Sequence, residues 1–387
     1  MNIIFRADAS LEIGTGHMFR CLTLAQELAS MGCQCYFISR AGPGDLCQKI
    51  RDRGFDLIEL PALSTDSISQ ELVGQDESPD HYRWLGVSWG TDSTETIAAV
   101  SELELACCDW VVVDHYAIDF KWERALKSVC RKILVIDDLA DRVHECDVLL
   151  DQNIGRIESD YYDLVPNYCK LLLGPYYSIL RPEFHKLRLE NVNRPSTHQD
   201  FHILVAMGGV DNDNITGLVL DALDLCDFPI GTRVTVLLGP HAPNLGAVYE
   251  SANKITYRTS IEIDSTRVGQ IMVESDISIG AAGATTWERC CLGLPAVVLC
   301  LAENQRYVVS QLNSRRVSVV TDIADLMADK SILSDKIEYL RAHLQEYTDN
   351  SLSITDGSGS KKVSTIIFQT LNEDHIVGSA EGYQNEL

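Results

Sequence analysis

A histidine and an arginine stand at the start of the first predicted helix, directly after a short glycine turn. Gly14 and Gly16 flank Thr15 in that turn, His17 follows, and Arg20 lies one helical turn further along. The positive end of a helix dipole disfavours an imidazolium ion, so we expect the ring of His17 to stay neutral near pH 7 and to accept a proton. A neutral imidazole at the edge of a binding site is a candidate general base.

Acidic and aromatic side chains follow apolar segments of the first half, at the points where we predict strands to end. They are Asp8, then Asp114, His115 and Tyr116, and then Asp137 and Asp138. In open α/β sheets, ligands bind outside the carboxyl ends of the strands. A lone histidine more often has no catalytic role, and an aspartate at a strand end equally often caps a loop, but several such strand ends at one edge favour a catalytic cluster. Because Asp8, Asp137 and Asp138 show no Asp-x-Asp spacing and have no paired histidine beside them, we expect no metal ion here.

A glycine-rich turn before a helix is the main candidate site of the second half. The segment 279–288 reads IGAAGATTWE, which predicts a strand, a turn and the start of a helix. Its glycines would let the backbone approach a phosphate, and the free amides and threonine hydroxyls would hold a diphosphate. Glu288, one turn into the helix, is placed to accept the two hydroxyls of a ribose. Tight packing of helix against strand explains such a turn equally well. Together with other strand ends, the candidate residues of the second half are Gly208, Gly283, Thr285, Thr286, Glu288, Asn304 and Gln305.

Strand-like apolar runs alternate with helical periodicity along the chain, which predicts βαβ units on parallel sheets. The pattern lapses at 188–200, around Pro195, and we interpret this segment as a linker. It separates an N-terminal domain, 1–187, from a C-terminal domain, 201–372, and we expect a disordered tail at 373–387. The expected fold class is α/β, with two Rossmann-like, doubly wound domains and a cleft between them. Such a cleft suits a ligand with two chemically different ends.

The composition is that of a globular protein that can bury its own core. Of 387 residues, 45% are hydrophobic and 23% charged, and 32 basic against 56 acidic side chains give a net charge of −24. So large an acidic excess argues against binding to nucleic acid or to an anionic membrane. The 13 cysteines include no Cys-x-x-Cys pair, and the N-terminus carries no signal pattern, so we expect reduced thiols in the cytoplasm. We further expect a monomer, and a loop at the polar segment 61–83.

Several segments between Met1 and Gln305, taken in order, resemble one family of sugar-nucleotide enzymes. This family is the UDP-2,4-diacetamido-2,4,6-trideoxy-β-L-altropyranose hydrolases of pseudaminic acid biosynthesis. The segments that carry the resemblance are FRADASLEIGTGHMFRCLTLAQEL, WLGVSWGTDSTETI, WVVVDHYAIDFKWE, ILVIDDLADRVHECDVLLDQN, LLGPYYSILRPEF, LVAMGGVDNDN and GAAGATTWERCCLGLPAVVLCLAENQ.

The resemblance implies a GT-B fold, related to that of MurG-type glycosyltransferases. It also implies inverting hydrolysis of a UDP-sugar at the anomeric carbon to free sugar and UDP, without a metal ion or cofactor. His17 matches the catalytic histidine, and Asp8 and Arg20 fall in the same block. The residues implied to contact the sugar are Arg6, Gly14, Gly16, Asp114, His115, Tyr116, Asp137 and Asp138. The candidate residues of the second half are implied to bind UDP.

Other functions remain open at this level. A glycosyltransferase of the same fold would pass the sugar to an acceptor instead of water, and fold alone does not separate the two reactions. A hydrolysing UDP-sugar 2-epimerase would need a carboxylate placed to remove the C2 proton. A binding protein with an inactive site would take up UDP without turnover.

Overall fold

The computed structural model describes residues 1–62, 81–191 and 200–381, with side chains as far as Leu371. Most of the expected loop at 61–83 and of the linker at 188–200 therefore lies outside the described residues.

The described residues form two compact units. Unit 1 comprises Met1–Gln152, Arg156–Ile179 and the chain from Ser360 onward. Unit 2 comprises Asn153–Gly155 and Leu180–Gly359. Each unit contains one parallel sheet, as the alternating pattern predicts.

The expected domain boundaries differ from those of the units. The main segment of unit 2 begins at Leu180, and position 187 lies inside a helix that continues to Asn191, into the expected linker. The final helix returns to unit 1, because Val363 and Ile367 are buried in the core of that unit. The same helix extends to Glu381, so part of the tail that we expected to be disordered is helical, and 382–387 lie outside the described residues.

The sheet of unit 1 has seven parallel strands in the order β3-β2-β1-β4-β5-β6-β7. The strands are β1 (Asn2–Ala7), β2 (Gln34–Arg40), β3 (Asp56–Leu60), β4 (Cys108–Asp114), β5 (Cys130–Ile136), β6 (Val148–Asp151) and β7 (Lys170–Leu173). The order reverses between β1 and β4, where the register pairs Ala7 with Asp114. In a doubly wound sheet this reversal opens a crevice at the carboxyl ends of the two strands.

Helices cover both faces of this sheet and bury an apolar cluster on each. The helices of unit 1 are α1 (Gly16–Ser30), α2 (Cys47–Asp52), α3 (Trp89–Glu102), α4 (Phe120–Leu126) and the final helix, Gly359–Glu381, with 3₁₀ turns at Tyr82–Leu85, Glu158–Tyr161 and Pro175–Tyr177. Capping side chains and glycines with positive φ mark ends of these helices. Asp119 accepts a hydrogen bond from the Lys121 amide at the start of α4, and Gly32, with φ of +90°, follows the end of α1.

The sheet of unit 2 has six parallel strands in the order β10-β9-β8-β11-β12-β13. The strands are β8 (His202–Ala206), β9 (Arg233–Leu238), β10 (Arg258–Ile263), β11 (Ile277–Ala281), β12 (Ala296–Cys300) and β13 (Ser318–Asp322). The order reverses between β8 and β11, where Ala206 pairs with Gly280. The glycine-rich turn therefore follows a strand at the reversal point, as the sequence predicts.

Helices also cover the sheet of unit 2. In chain order they are α5 (Pro182–Asn191), α6 (Ile215–Leu223), α7 (Leu245–Lys254), α8 (Val268–Val273), α9 (Thr285–Leu292), α10 (Arg306–Ser314), α11 (Ile323–Ala328), α12 (Ile332–Ala342) and α13 (Leu344–Leu352), with a 3₁₀ turn at Glu303–Gln305; the final helix of unit 1 is α14. Asp211 caps α6 by accepting from the amides of Ile215 and Thr216. None of the described helices combines the length and the apolar character needed to cross a membrane.

Candidate active site

His17 and Asp114 form a buried pair at the carboxyl edge of the unit 1 sheet. His17 lies in the first turn of α1 and is 8% exposed, while Asp114 ends β4 and is fully buried. The Nδ1 atom of His17 lies 2.6 Å from Oδ1 of Asp114. Thr15, which precedes α1, makes no side-chain cap hydrogen bond to the first amides of this helix.

Arg20 keeps the carboxylate of Asp114 ionised. Its Nε and Nη2 donate to the two oxygens of Asp114 at 2.5 and 2.7 Å, in a bidentate pair. Burial alone would raise the pKa of Asp114, but the charge of Arg20 and the hydrogen bonds from Arg20 and His17 hold it well below its usual range. Because an ionised carboxylate only accepts hydrogen bonds, the proton of a neutral His17 lies on Nδ1 and leaves Nε2 as an acceptor.

Tyr116 and Asp138 lie beside this pair, as the predicted strand ends require. The hydroxyl of Tyr116 donates to Asp138 at 2.5 Å, and Arg20 Nη1 donates to the other oxygen of Asp138 at 3.3 Å. Burial and the charge of Asp138 raise the pKa of Tyr116, so the phenol stays protonated. Trp84 stacks on Tyr116 with ring centroids 5.8 Å apart, which adds an aromatic residue that we did not single out from the sequence.

Asp8 occupies the same edge, but its oxygens are already engaged. Oδ1 accepts from Arg6 Nη1 at 2.6 Å, from the Arg40 amide at 2.7 Å and from the Ser39 hydroxyl at 3.2 Å. Oδ2 lies 3.3 Å from Nε2 of His115. Burial alone would raise the pKa of Asp8, but Arg6 holds it well below its usual range. The geometry makes Asp8 a support for the site and not a free acid or base.

Asp92, on α3, is a buried partner that sequence reasoning missed. It accepts from Arg6 Nη2 at 2.7 Å, from Arg40 Nη2 at 2.7 Å and from the indole of Trp122 at 2.9 Å. The only signal was its place in the segment WGTDSTETI, which carries no assigned role. Arg6 is thus held by two carboxylates, and its side chain is fully buried between them.

Asp137 and His115 turn into the fold, although we expected both to contact a sugar. Asp137 lies 2.6 Å from Arg142 Nη1 and accepts from the Ala140 amide at 3.1 Å. His115 Nδ1 accepts from the Ala117 amide at 3.1 Å, and burial lowers the pKa of His115. Both residues are fully buried, so they brace the strand ends instead of lining open space.

Among the described residues, no three His, Cys, Asp or Glu side chains could hold a metal ion together.

Gly14 and Gly16 shape the turn that leads into α1. Gly14 has φ of +81°, and its amide donates to the Ser10 carbonyl at 2.8 Å. Only glycine adopts such a φ without strain. A Cβ atom at either glycine would meet nothing within 4 Å, so open space adjoins the start of α1.

The glycine turn of unit 2 closes on Thr286. The Thr286 amide donates to Gly283 O at 2.9 Å, and the Gly283 amide donates back to the Thr286 hydroxyl at 3.3 Å. Thr286 is buried and supports the turn, whereas Gly283 is exposed and has open space around it. Ala284 precedes α9 and provides no side-chain cap. The Trp287 amide likewise donates to Ala284 O at 3.1 Å, so of the first amides of α9 that of Thr285 is the one for which the described residues supply no cap. An uncapped amide at a helix start is a usual contact for a bound anion.

Arg289 lies behind this turn and was missed by sequence reasoning. It is 2% exposed, and its Nη2 donates to Ala281 O and to the Thr286 hydroxyl, both at 3.1 Å. An arginine one turn into a helix normally projects into solvent, so the sequence offered no signal for its burial.

Glu288, which we predict to bind the ribose, lies one turn into α9, and its side chain is 15% exposed. Its Oε1 lies 3.5 Å from Nη2 of Arg181. Burial raises the pKa of Glu288 in spite of that neighbour. The carboxyl group is therefore positioned to accept hydrogen bonds, with Arg181 as a weak competitor.

The remaining predicted residues of unit 2 follow the two strands that flank β11. Gly208 follows β8 with φ of +105°. Asn304 is exposed after β12, whereas Gln305 Oε1 accepts from the Leu301 amide at 2.9 Å and caps the strand end. These residues share the carboxyl edge with the glycine turn, but the oxygen of Gln305 already has a partner in the protein.

Several known proteins are similar to this chain in sequence, although no family model matches it. The UDP-2,4-diacetamido-2,4,6-trideoxy-β-L-altropyranose hydrolase of Campylobacter jejuni is 26% identical over 313 residues, covering 81% of this chain and 96% of the relative. The uncharacterized protein MJ1062 of Methanocaldococcus jannaschii is 26% identical over 79% of this chain, which spans only 57% of that relative's length. The spore coat polysaccharide biosynthesis protein SpsG of Bacillus subtilis is 25% identical over 59% of this chain and 66% of its own length.

Solved structures give the fold. MurG of Acinetobacter baumannii is similar with a TM-score of 0.63 and 14% identity, covering 95% of this chain and 99% of MurG. The calicheamicin glycosyltransferase CalG4 has a TM-score of 0.62 and 12% identity, covering 96% and 98%. MnaA of Staphylococcus aureus, solved with UDP, has a TM-score of 0.59 and 13% identity, covering 96% and 97%. These likenesses confirm the predicted fold class: the chain has the α/β fold of the GT-B glycosyltransferases.

Proposed function

We propose that this protein is an enzyme that hydrolyses a UDP-2,4-diacetamido-2,4,6-trideoxy sugar of the altrose type to the free sugar and UDP. The observation that carries the proposal is the pair of His17 and Asp114, 2.6 Å apart at a sheet edge where ligands bind. The named activity of the Campylobacter relative, over 96% of its length, supports the choice of substrate.

His17 is the general base of the proposed reaction. With its proton on Nδ1 and directed to Asp114, Nε2 is free to remove a proton from a water molecule. Asp114 stabilises the imidazolium ion that results, and Arg20 fixes Asp114 in place. The water oxygen attacks the anomeric carbon from the face opposite the diphosphate, so the configuration inverts.

The leaving group needs no strong acid, because UDP departs as a stable anion. As the bond from the anomeric carbon to the diphosphate oxygen breaks, its electron pair goes to the diphosphate. In this proposal the Thr285 amide and the positive end of the α9 dipole stabilise that charge, and Glu288 accepts hydrogen bonds from the ribose hydroxyls. In this proposal unit 2 binds the nucleotide and unit 1 binds the sugar. No metal ion or cofactor takes part.

Tyr116 and Asp138 are the proposed contacts to the sugar. Both lie next to His17 at the same edge, and both are partly exposed. Arg6, Asp8, His115 and Asp137 support the site from behind through the buried contacts described above. Their proposed role is to fix the strand ends that carry His17's partners.

A glycosyltransferase is the second candidate, because the fold is shared with MurG and CalG4. It would use the same base on an acceptor hydroxyl instead of water. A UDP-sugar 2-epimerase would instead exchange the C2 hydrogen with solvent.

The experiment incubates the purified protein with UDP-2,4-diacetamido-2,4,6-trideoxy-altrose in water enriched in oxygen-18, followed by proton and phosphorus NMR. We expect free sugar of inverted configuration carrying the label, and UDP without it. Label in the phosphate of UDP would mean attack at phosphorus and would contradict the role of His17. Turnover only after an acceptor is added would identify a transferase, and deuterium at C2 in heavy water an epimerase.

A variant pair assigns the base. His17→Asn should lower kcat by about 10²-fold or more with little change in UDP affinity, as the loss of a general base does. His343→Asn is the control, because His343 lies outside the site, where its Nδ1 contacts the Tyr339 carbonyl at 2.8 Å. Equal losses in rate and in UDP affinity on His17→Asn would contradict the assignment.

A further inference from the structure

Arg289 differs from every other buried arginine of the described residues. Arg6, Arg20, Arg40 and Arg142 each lie within 4.0 Å of a buried aspartate. Arg289 is as buried as they are, and within the described chain it forms no ion pair. Its Nη1 has no hydrogen-bond partner at all there. A buried cation without a counter-charge is unfavourable, and such groups are uncommon unless they have a function.

The glycine at position 280 makes room for this cation. A Cβ atom there would lie 2.4 Å from Nη1 of Arg289 and 2.8 Å from the Ala206 carbonyl. Any side chain at 280 would therefore push the guanidinium away from the strand. The close approach places the charge at the reversal point of the unit 2 sheet, between the ends of β8 and β11.

The second terminal nitrogen of the guanidinium, Nη2, forms hydrogen bonds at both ends of the glycine turn. Nη2 donates to the carbonyl of Ala281, which ends β11, and to the hydroxyl of Thr286, in the first turn of α9. The exposed loop through Gly283 is thereby anchored on one group. Burial lowers the pKa of Arg289 to about 10, so the group is still charged near neutral pH.

Two independent features of this turn favour a bound anion. The start of α9 has no side-chain cap, and although the amides of Thr286 and Trp287 donate to backbone carbonyls of the turn, the described residues supply no acceptor for the Thr285 amide. The buried guanidinium directly behind the turn forms no ion pair with a carboxylate of the described residues, although the charge of the neighbouring Glu288 acts on it, and its Nη1 lacks a hydrogen-bond partner there. A phosphate at the turn would satisfy both features at once, whereas a neutral ligand would satisfy neither.

We infer that Arg289 is a positioning residue for the diphosphate of the nucleotide: it anchors the glycine turn from behind and supplies the buried positive charge that selects a phosphorylated ligand. This inference rests on the proposed function for the identity of the ligand. It adds that the preference for UDP over uridine depends on a side chain that the ligand does not need to touch.

The test measures binding of uridine, UDP and inorganic pyrophosphate to the full chain by calorimetry. Arg289→Met should weaken UDP and pyrophosphate binding by roughly 10- to 100-fold, as expected for a lost interaction with a charged group, and leave uridine unchanged. Arg289→Lys keeps the charge but not both hydrogen bonds to the turn. Its affinities for UDP and pyrophosphate should lie between those of Arg289→Met and the wild type.

A matched control separates this role from a general effect on folding. Arg188, also in unit 2, donates to the carbonyls of Cys291 and Leu352 at 2.9 and 2.8 Å. Arg188→Met should lower the melting temperature while keeping the ratio of UDP to uridine affinity. If Arg289→Met also keeps the ratio of UDP to uridine affinity, the inference is wrong, even if the wild-type protein hydrolyses the UDP-sugar. If wild type binds UDP through Arg289 but does not hydrolyse the sugar nucleotide, the proposed function fails and the inference stands.

Discussion

The ring of Tyr116 meets the ring of His17 edge-on, with the two centroids 4.6 Å apart and the planes at 88°. The same tyrosine donates its hydroxyl to Asp138, so it joins the proposed base to the carboxylate that Arg20 also contacts. The contact with the histidine therefore depends on the ring, and the contact with the aspartate depends on the hydroxyl.

The two functions of Tyr116 can be separated by substitution. Tyr116→Phe keeps the ring against His17, so we expect kcat to fall by less than about tenfold, the loss of one hydrogen bond of ordinary strength. Tyr116→Ala also removes the ring that restricts His17, and we expect a larger fall in kcat. Steady-state kinetics of both variants on the proposed substrate measure the difference. Equal effects would mean that the ring does not position the base.

Substitution of Glu288 tests the nucleotide end of the site. Glu288→Ala should weaken UDP binding, because the carboxyl group proposed to accept the ribose hydroxyls is lost, while kcat at saturating substrate changes little. Calorimetry with UDP and with inorganic pyrophosphate provides the measurement, and pyrophosphate affinity should not change. Glu303→Ala is the control, since Glu303 pairs with Arg306 on the exposed surface. A defect in kcat alone would count against the ribose role.

Breaking the buried pair of Arg6 and Asp92 is expected to destabilise unit 1 strongly. Arg6→Met leaves Asp92 and Asp8 without their main partner, and loss of one member of a buried pair costs roughly 3–5 kcal/mol of unfolding free energy. Lys330→Met, which breaks the exposed pair with Asp221, should cost about 1 kcal/mol or less. Urea unfolding followed by circular dichroism compares the two. If the two variants lose similar amounts of unfolding free energy, the expected difference between the buried and the exposed pair is wrong.

The free energy of unfolding should fall in acid, and more steeply than if only exposed carboxylates were protonated. The pKa values of Asp8, Asp92, Asp114 and Asp137 are lowered in the folded state, against the effect of burial, by neighbouring arginines. The unfolded chain therefore binds more protons than the folded chain in acid, and stability rises with pH there. We expect this stability to be complete above pH 5 and to decline as the pH falls below about 4, the ordinary value for aspartate.

Thermal unfolding at pH 3, 4, 5 and 7 measures this dependence. Asp137→Asn should flatten it, because the variant carries one group fewer that titrates between the folded and unfolded states. A melting temperature that stays constant or rises from pH 5 to pH 3 would show that these aspartates are not ionised in the folded protein.

The sequence alone predicts the parts of the site that are local. The strand ends at Asp114 and Asp138 and the helix start at His17 can be read from apolar runs and a glycine turn, and parallel sheets bring such ends to one edge. The pairing of His17 with Asp114 connects residues 97 positions apart, so it becomes visible only when β1 and β4 are adjacent.

The parts that escaped prediction depend on burial against distant segments. Asp92 lies among threonines and serines on a helix whose pattern looks exposed, yet it meets Arg6, 86 positions away. Arg289 looks like an ordinary surface arginine until Gly280 allows it to pack against the strand. In the same way, Asp8 and Asp137 look like free acids at strand ends until their arginine partners are in place.

The return of α14 to unit 1 has a consequence for the order in which the protein is made. The core of unit 1 includes Val363 and Ile367, which the ribosome adds only after all of unit 2. While the ribosome synthesises unit 2, the part of the unit 1 core that packs against Val363 and Ile367, near the segment that carries His17, is therefore still exposed. A shortened chain that stops at Gly359 would keep every residue of the proposed site and still lack the last piece of the structure that holds His17.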